Sequence, residues 1–206
     1  QLSGAIAAVF ASWNADKAAE YRRINQIDAD MGTPVILQRM VFGNTGGHSG
    51  AGVGFTRDPG TGEPRLWVDF LANAQGEDVV SGRRNAHGHA TLAAVAPDAW
   101  KQLQASAQAL EQHFGDMQDF EFTVQDGVLH MLQTRSAKRT PLAAARIALD
   151  LLDEGLIDSA KALHRTQAID AAALGTVRMV ASDDPDNAPA PLAQANPACP
   201  GVVSGA

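Results

Sequence analysis

The sequence predicts a mixed α/β domain of the α+β kind, and three observations carry that reading. Residues 117–140 alternate apolar and polar side chains around Gln125-Asp126-Gly127, the pattern of a β-hairpin. Residues 97–114 and 141–154 repeat apolar residues at helical spacing, and each run opens on a proline. Between residues 34 and 70, three short apolar runs are separated by glycine- and proline-rich turns and read as strands. With 206 residues, 45% of them hydrophobic, the chain can build a core, which excludes wholesale disorder. No apolar run approaches the ~18 residues of a membrane helix. A net charge of −7 argues against a nucleic-acid partner, which calls for a basic face. Cys199 is the single cysteine, so no disulfide framework and no cysteine zinc cage is expected. A soluble cytoplasmic protein fits these bounds.

The elements follow in chain order. Residues 3–13 have helix-compatible apolar spacing, and Asn14-Ala15-Asp16 resembles a cap before a second helix over 17–25. Pro34–Phe42 (PVILQRMVF) is apolar and β-branched and predicts a buried strand. Residues 43–52 (GNTGGHSGAG) predict a mobile glycine-dense turn, 53–57 a short strand, 58–64 a tight loop and 65–70 a third strand. Residues 73–90 carry little periodicity and predict a long loop with a short ordered core. Trp100, Leu103, Ala107 and Leu110 set the apolar face of the 97–114 helix. The hairpin strands are 119–124 and 128–135. Helices are expected over 141–154 and about 157–174, and 182–198, with four of the ten prolines, reads as a linker. The chain opens on Gln1 and stops at Val202-Val203-Ser204-Gly205-Ala206, which reads like the entry to another strand, so a segment of a longer polypeptide is expected.

The hairpin carries the chemistry. Period-two alternation sets Asp119, Glu121 and Thr123 on one face and Phe120, Phe122 and Val124 on the other. The partners across the ribbon depend on the turn. A two-residue Asp-Gly turn sets Phe120 opposite Gln133. A three-residue Gln-Asp-Gly loop sets Asp119 opposite Gln133 and Glu121 opposite Met131. The second register is preferred because it gathers Asp119, Glu121, Gln133 and Arg135 on one surface. Two carboxylates suit Mg²⁺, which fills its octahedron with waters and substrate phosphates. Gln133 and the planar fork of Arg135 suit phosphoryl oxygens. The bland competitor is a solvated strand face.

The segment MQDFEFTVQDGVLHMLQTRSAKRT (117–140) resembles the end of the nucleotide-binding domain of the pyruvate phosphate dikinase family. The resemblance extends through SWNADKAAEYRRIN (12–25), VILQRMVFGNTGGHSGAGVGFTRDPGTGE (35–63) and NAQGEDVVSG (73–82), while NPACPGVVSGA at the end resembles the start of that family's phosphohistidine domain. The related phosphoenolpyruvate synthases resemble the chain less, because they end this hairpin differently. The resemblance implies the C-terminal subdomain of an ATP-grasp fold, a mostly antiparallel sheet flanked by helices, plus a helical extension. It implies a nucleotide-binding portion over 1–140, the extension over 141–180, and linker leading to the phosphohistidine domain over 181–206. The implied reaction interconverts ATP, phosphate and pyruvate with AMP, pyrophosphate and phosphoenolpyruvate through a phosphorylated histidine. By motif position, Asp119 and Glu121 would hold magnesium, Gln133 would assist the transferring phosphoryl group, and Arg135 would contribute beside it. Gln38, Met40 and Val41 fall where the family's hinge strand meets adenine, and Glu77 would reach the ribose or a phosphate-bound metal.

The family's phosphate-gripping lysine and arginine would precede Gln1, and its histidine in a Thr-Ser-His-Ala stretch would follow Ala206. The segment is therefore expected to form one wall of a site completed by the other ATP-grasp half and the phosphohistidine domain, in a parent that is a homo-oligomer. Phosphoryl transfer by the segment alone is not expected. Two other classes compete: a contact module that binds no nucleotide, and a hydrolase holding metal at His87 and His89. The run 43–54 lacks the ending of a P-loop, and His48-Ser49 is one residue short of a nucleophile elbow. Trp13, Trp67 and Trp100 fall on separate elements and are expected to pack rather than stack a ligand.

Overall fold

A computed structural model describes residues 1–80 and 88–175, and the chain divides into two compact units, Gln1–Met40 and a second beginning at Val41. In the first unit, helix α1 (Leu2–Ser12) leads into α2 (Asp16–Asn25) and a 3₁₀ turn at Ala29–Met31. The turns are tied by Trp13. Its indole N–H donates to the Ala29 carbonyl at 3.0 Å, and the Arg22 guanidinium lies 4.0 Å over its ring and donates to its carbonyl. The cap expected at Asn14-Ala15-Asp16 makes no side-chain bond. Ala15 holds the capping position, and Asp16 stands in the first turn, where the helix dipole favours an acid.

The strand expected over 34–42 does not form. Residues 33–42 belong to no helix or ladder, and Ile36, Leu37 and Met40 are 82%, 66% and 63% exposed. An apolar β-branched run makes the backbone willing to extend, but a strand also needs a neighbour for its N–H and C=O groups. Among the described residues none is supplied. Gln38 and Met40 accordingly sit on an open, exposed segment.

The second unit is built on a four-stranded antiparallel sheet in the order β2-β1-β3-β4, with β1 Gly50–Phe55, β2 Trp67–Ala72, β3 Gln118–Gln125 and β4 Val128–Ser136. Helix α3 (Gly76–Val80) follows β2 and packs on β1, β2 and β3. Helices α4 (His89–Val95) and α5 (Pro97–Phe114) then cover one sheet face. Between sheet and helices, Phe70, Phe120, Phe122 and Val124 pack against Leu92, Ala96, Ala99, Leu103 and Ala107. Glycines at alternate positions of β1 make this close packing possible. A Cβ on Gly50, Gly52 or Gly54 would collide with the ring of Phe70, Phe122 or Phe120 respectively, so three rings lie on a strip of bare backbone. That is the physical role of a run the sequence reading took for turn as far as residue 52.

The rest of that run, 43–49, is anchored rather than a mobile turn. Gly127 N–H donates to the His48 carbonyl at 2.8 Å, and Asp126 N–H to Ser49 Oγ at 3.0 Å. His48 Nδ1 donates to the Val95 carbonyl at 3.0 Å, and Ser49 is fully buried. The loop thus grips the hairpin tip.

Helix α6 (Pro141–Asp153) is capped by Thr140, whose hydroxyl accepts from Ala143 N–H and donates to the Gly60 carbonyl. Its buried side of Ala143, Ile147 and Leu151 meets Met117, Ile157 and Ala162, with Phe55 packed alongside. The helix expected over 157–174 is two pieces, α7 (Ser159–Thr166) and a 3₁₀ turn at Ala171–Leu174, because Asp158 and Asp170 each cap a separate start. Helix α4 was not expected from sequence, and α3 is the ordered core within 73–90. His87, Cys199 and residues 181–206 lie outside the described residues. Among the described residues, no helix is long and apolar enough to cross a membrane.

Candidate functional site

The site lies on the sheet face opposite α4 and α5. Cross-strand pairs share a face, so Val53 and Phe55 of β1 line up with Glu121 and Asp119 of β3. That face is bracketed. At the hairpin end Ala51, Leu71 and Thr123 are buried, and at the other end Met117 is buried and Phe55 packs beside the α6 cluster. Val53, Asp119 and Glu121 lie between them, partly exposed.

The hairpin reaches this arrangement by a route the sequence reading did not foresee. The turn is the two-residue Asp126-Gly127, with φ of 51° and 81° as a type I′ turn requires, and Gln125 pairs with Val128. The preferred three-residue loop is not formed. From the tip the ladder is regular as far as Phe122 opposite Met131. A bulge then absorbs Leu132, so that Glu121 faces Gln133, Phe120 faces Thr134 and Asp119 faces Arg135. Met131 is therefore not opposite Glu121, Gln133 is opposite neither Asp119 nor Phe120, and yet all four polar residues share a face. One extra residue in a strand exchanges the faces of everything beyond it.

Arg135 Nε donates to Asp119 Oδ2 at 2.7 Å; the arginine side chain is 63% exposed and the aspartate 15%. The hydrogen bond and charge of Asp119, with the charge of Glu121 behind them, hold the guanidinium above its ordinary pKa. Gln133 is exposed. Among the described residues no group of three or more acids, histidines or cysteines could cage a metal. Two neighbouring carboxylates do fit Mg²⁺, whose remaining positions go to water and phosphate, and Asp119 keeps Oδ1 clear of the Arg135 bond. Asp69, paired with Val53 on the same face, stands about 10 Å from Glu121 across two strand spacings. Its alternation with Val68 and Phe70 in Trp67-Val68-Asp69-Phe70 is the sequence signal that marks this face.

The other candidates lie elsewhere. Val41 is half-buried at the start of the second unit. Glu77 is exposed in the first turn of α3, which follows the β2 end that pairs with Gly50 and, through it, Val124. Five strand positions, about 17 Å, separate Val124 from Asp119. The structure thus brings together Asp119, Glu121, Gln133 and Arg135, and does not bring Glu77 to them. His89 stacks on Trp100 at 5.4 Å and Trp67 meets Phe55 edge-on at 5.5 Å, so both tryptophans pack against neighbours.

A sequence model of the family described as "Pyruvate phosphate dikinase, AMP/ATP-binding domain" matches residues 1–93 and 88–155. The chain is 52% identical over 168 residues to the pyruvate, phosphate dikinase of Clostridium symbiosum, covering 82% of this chain and 19% of that protein. It is 51% identical over 167 residues to the chloroplastic enzyme of Flaveria trinervia, covering 81% and 18%. Against that of Rickettsia conorii, identity is 44% over 210 residues, covering 100% and 24%. The chain thus spans about a fifth of the length of these curated relatives. The hairpin with its four polar residues falls inside the matched residues, and the chain belongs to the pyruvate phosphate dikinase AMP/ATP-binding domain family.

Proposed function

We propose that this chain supplies the metal- and phosphate-facing wall of an ATP site in a pyruvate phosphate dikinase. The observation that carries the reading is the pairing of Glu121 with Gln133 and of Asp119 with Arg135 on one partly exposed face. Asp119 and Glu121 hold magnesium, which when bound neutralises phosphate charge and orients the polyphosphate. Gln133 offers its carboxamide N–H to the transferring phosphoryl oxygens. Arg135, exposed and ion-paired with Asp119, would move from it to a phosphate oxygen once the carboxylate is engaged by magnesium. Charge placement of this kind is most of what phosphoryl transfer asks of a protein.

The exposed backbone of 38–41 reads the adenine edge, with Met40 and Val41 over the base, and Glu77 contacts the ribose. The complete polypeptide adds the other ATP-grasp half and a carrier histidine. It interconverts ATP, phosphate and pyruvate with AMP, pyrophosphate and phosphoenolpyruvate as a cytoplasmic homo-oligomer. The test is ATP-dependent histidine phosphorylation by the complete polypeptide. Asp119→Asn, Glu121→Gln and Gln133→Ala should each slow it about a hundredfold, the usual scale for removing one charge-stabilising group. Rates within twofold of wild type in all three would overturn the reading, and favour a contact module that binds no nucleotide.

A further inference from the structure

The bulge at Leu132 sets the face on which Gln133 and Arg135 emerge, and a ladder continuing regularly from Phe122 opposite Met131 would pair Phe120 with Gln133 instead. Such a ladder would turn the carboxamide toward α5 and away from the carboxylates. Something must favour the bulged pairing, because the turn alone leads into the regular one. The only side chain of β3 that is both polar and buried on the helix-covered face is Gln118, 3% exposed. Its Nε2 donates to the carbonyls of Asp116 and Met117, each at 3.2 Å, which fixes the orientation of the carboxamide. Its Oε1 is thereby left to accept, and it accepts the Thr134 hydroxyl at 3.2 Å; the same hydroxyl lies 3.3 Å from the Asp119 carbonyl. Thr134 pairs with Phe120 only in the bulged register. In the regular one, Gln133 takes that place, and the short Thr134 hydroxyl that reaches both Gln118 Oε1 and the Asp119 carbonyl is lost from it.

We propose that Gln118 is a positioning residue for phosphoryl transfer: its buried carboxamide selects the bulged register and so holds Gln133 and Arg135 across from Glu121 and Asp119. The inference rests on the functional reading above and goes beyond it, since the Gln118 side chain is buried and bonds only protein groups, those of Asp116, Met117 and Thr134, among the described residues. Methionine fits the volume of glutamine and cannot accept a hydrogen bond of this strength. Valine likewise removes the Thr134 hydroxyl while keeping the shape.

The experiment measures kcat and KM for ATP-dependent histidine phosphorylation by the complete polypeptide carrying Gln118→Met, Thr134→Val or both, each with and without Gln133→Ala. Hydrogen exchange over 132–136 is followed in parallel. Each single change should lower kcat about tenfold, in keeping with the sensitivity of transfer to small misplacements. The double variant should be no slower than either single, and either change should slow a protein already carrying Gln133→Ala by clearly less than tenfold, the remainder coming from Arg135. Exchange over 132–136 should quicken in both single variants. Unchanged kcat, or an undiminished tenfold loss in the Gln133→Ala background, overturns the proposal. Should Gln118→Met fail to fold, Thr134→Val, at a half-buried position, carries the same test. Asp119→Asn, Glu121→Gln and Gln133→Ala proteins all as fast as wild type would instead sink the functional reading itself, so the two failures are distinguishable.

Discussion

Glu121 and Gln133 face each other across the β3–β4 ladder because Leu132, between Met131 and Gln133, pairs with nothing on β3. The two-residue Asp126-Gly127 turn by itself would have put Leu132 in that place. The polar face is therefore made by a turn and a bulge acting together.

Excising residues one at a time separates the two contributions. Without Leu132, the strand runs straight from Met131 to Gln133, and Gln133 still meets Glu121. Without Thr134, Arg135 takes its place opposite Phe120 and turns toward α5. The first deletion should leave Mg·ATP affinity of the complete polypeptide within about threefold of wild type. The second should weaken it about tenfold or more, the scale of a lost charge-assisted contact. Isothermal titration reads both.

Gly52 lies under the Phe122 ring, where a methyl group would collide. Gly52→Ala should cost about 1–3 kcal/mol by overpacking, measured by urea denaturation. Phe122→Leu in the same protein should recover part of that loss. Gly47→Ala, where nothing lies within 4 Å of the added carbon, should be neutral and serves as the control.

Arg57, 2% exposed, bonds Glu111 at 2.7 Å and Glu154 at 2.7 Å, with Asp150 at 3.4 Å. Burial opposes its charge, but the bonds to Glu111 and Glu154 outweigh it and hold the guanidinium above its usual range. Glu111, 13% exposed, also accepts from the Thr56 hydroxyl. Arg57→Ala leaves that carboxylate buried with its cation gone and should cost about 3–5 kcal/mol. Glu154→Gln, at a side chain 42% exposed, should cost under about 1 kcal/mol. Thermal denaturation distinguishes them.

Asp116 gives the fold an acid-sensitive joint. Burial pushes its carboxyl up, but the bidentate bond from Arg139, the charge of Arg165 and the Ser136 hydroxyl pull it further down, below its ordinary 3.8. A carboxyl whose folded pKa is depressed binds fewer protons folded than unfolded. Its contribution is present above about pH 4, and is lost as pH falls through the still lower folded value. Asp116→Asn should be less stable than wild type at pH 7, and its stability should fall less steeply below pH 4. A wild-type acid limb in that variant would contradict this.

The sequence announced what depends on periodicity. Helix α5, with Leu103 and Ala107 buried on its face, and the hairpin with Phe120 and Phe122 inward, could both be read from spacing. So could α6, opened by Pro141 and followed by Gly155. The alternation of Asp119 and Glu121 was visible too, because adjacent same-face carboxylates need only strand parity. The register was not. Leu132 is an ordinary residue, and no glycine or proline near it marks a bulge. What favours the bulge is a hydrogen bond between Gln118 and Thr134, sixteen residues apart. The segment 34–42 failed for a related reason. Val35, Ile36 and Leu37 specify an extended backbone equally well with or without a neighbouring strand. Helix α4 was missed because seven residues with three alanines show too little pattern, although Leu92 is fully buried.

The central claim is that Asp119 and Glu121 jointly receive the metal of a bound nucleotide. Water-proton relaxation with Mn²⁺ in place of magnesium tests it most directly, because Mn·ATP relaxes water more strongly when a protein holds it. The complete polypeptide should show that enhancement on titration with Mn·ATP. Asp119→Ala and Glu121→Ala should each abolish it at the same concentrations while keeping the wild-type circular dichroism spectrum. Wild-type enhancement in both variants would contradict the account.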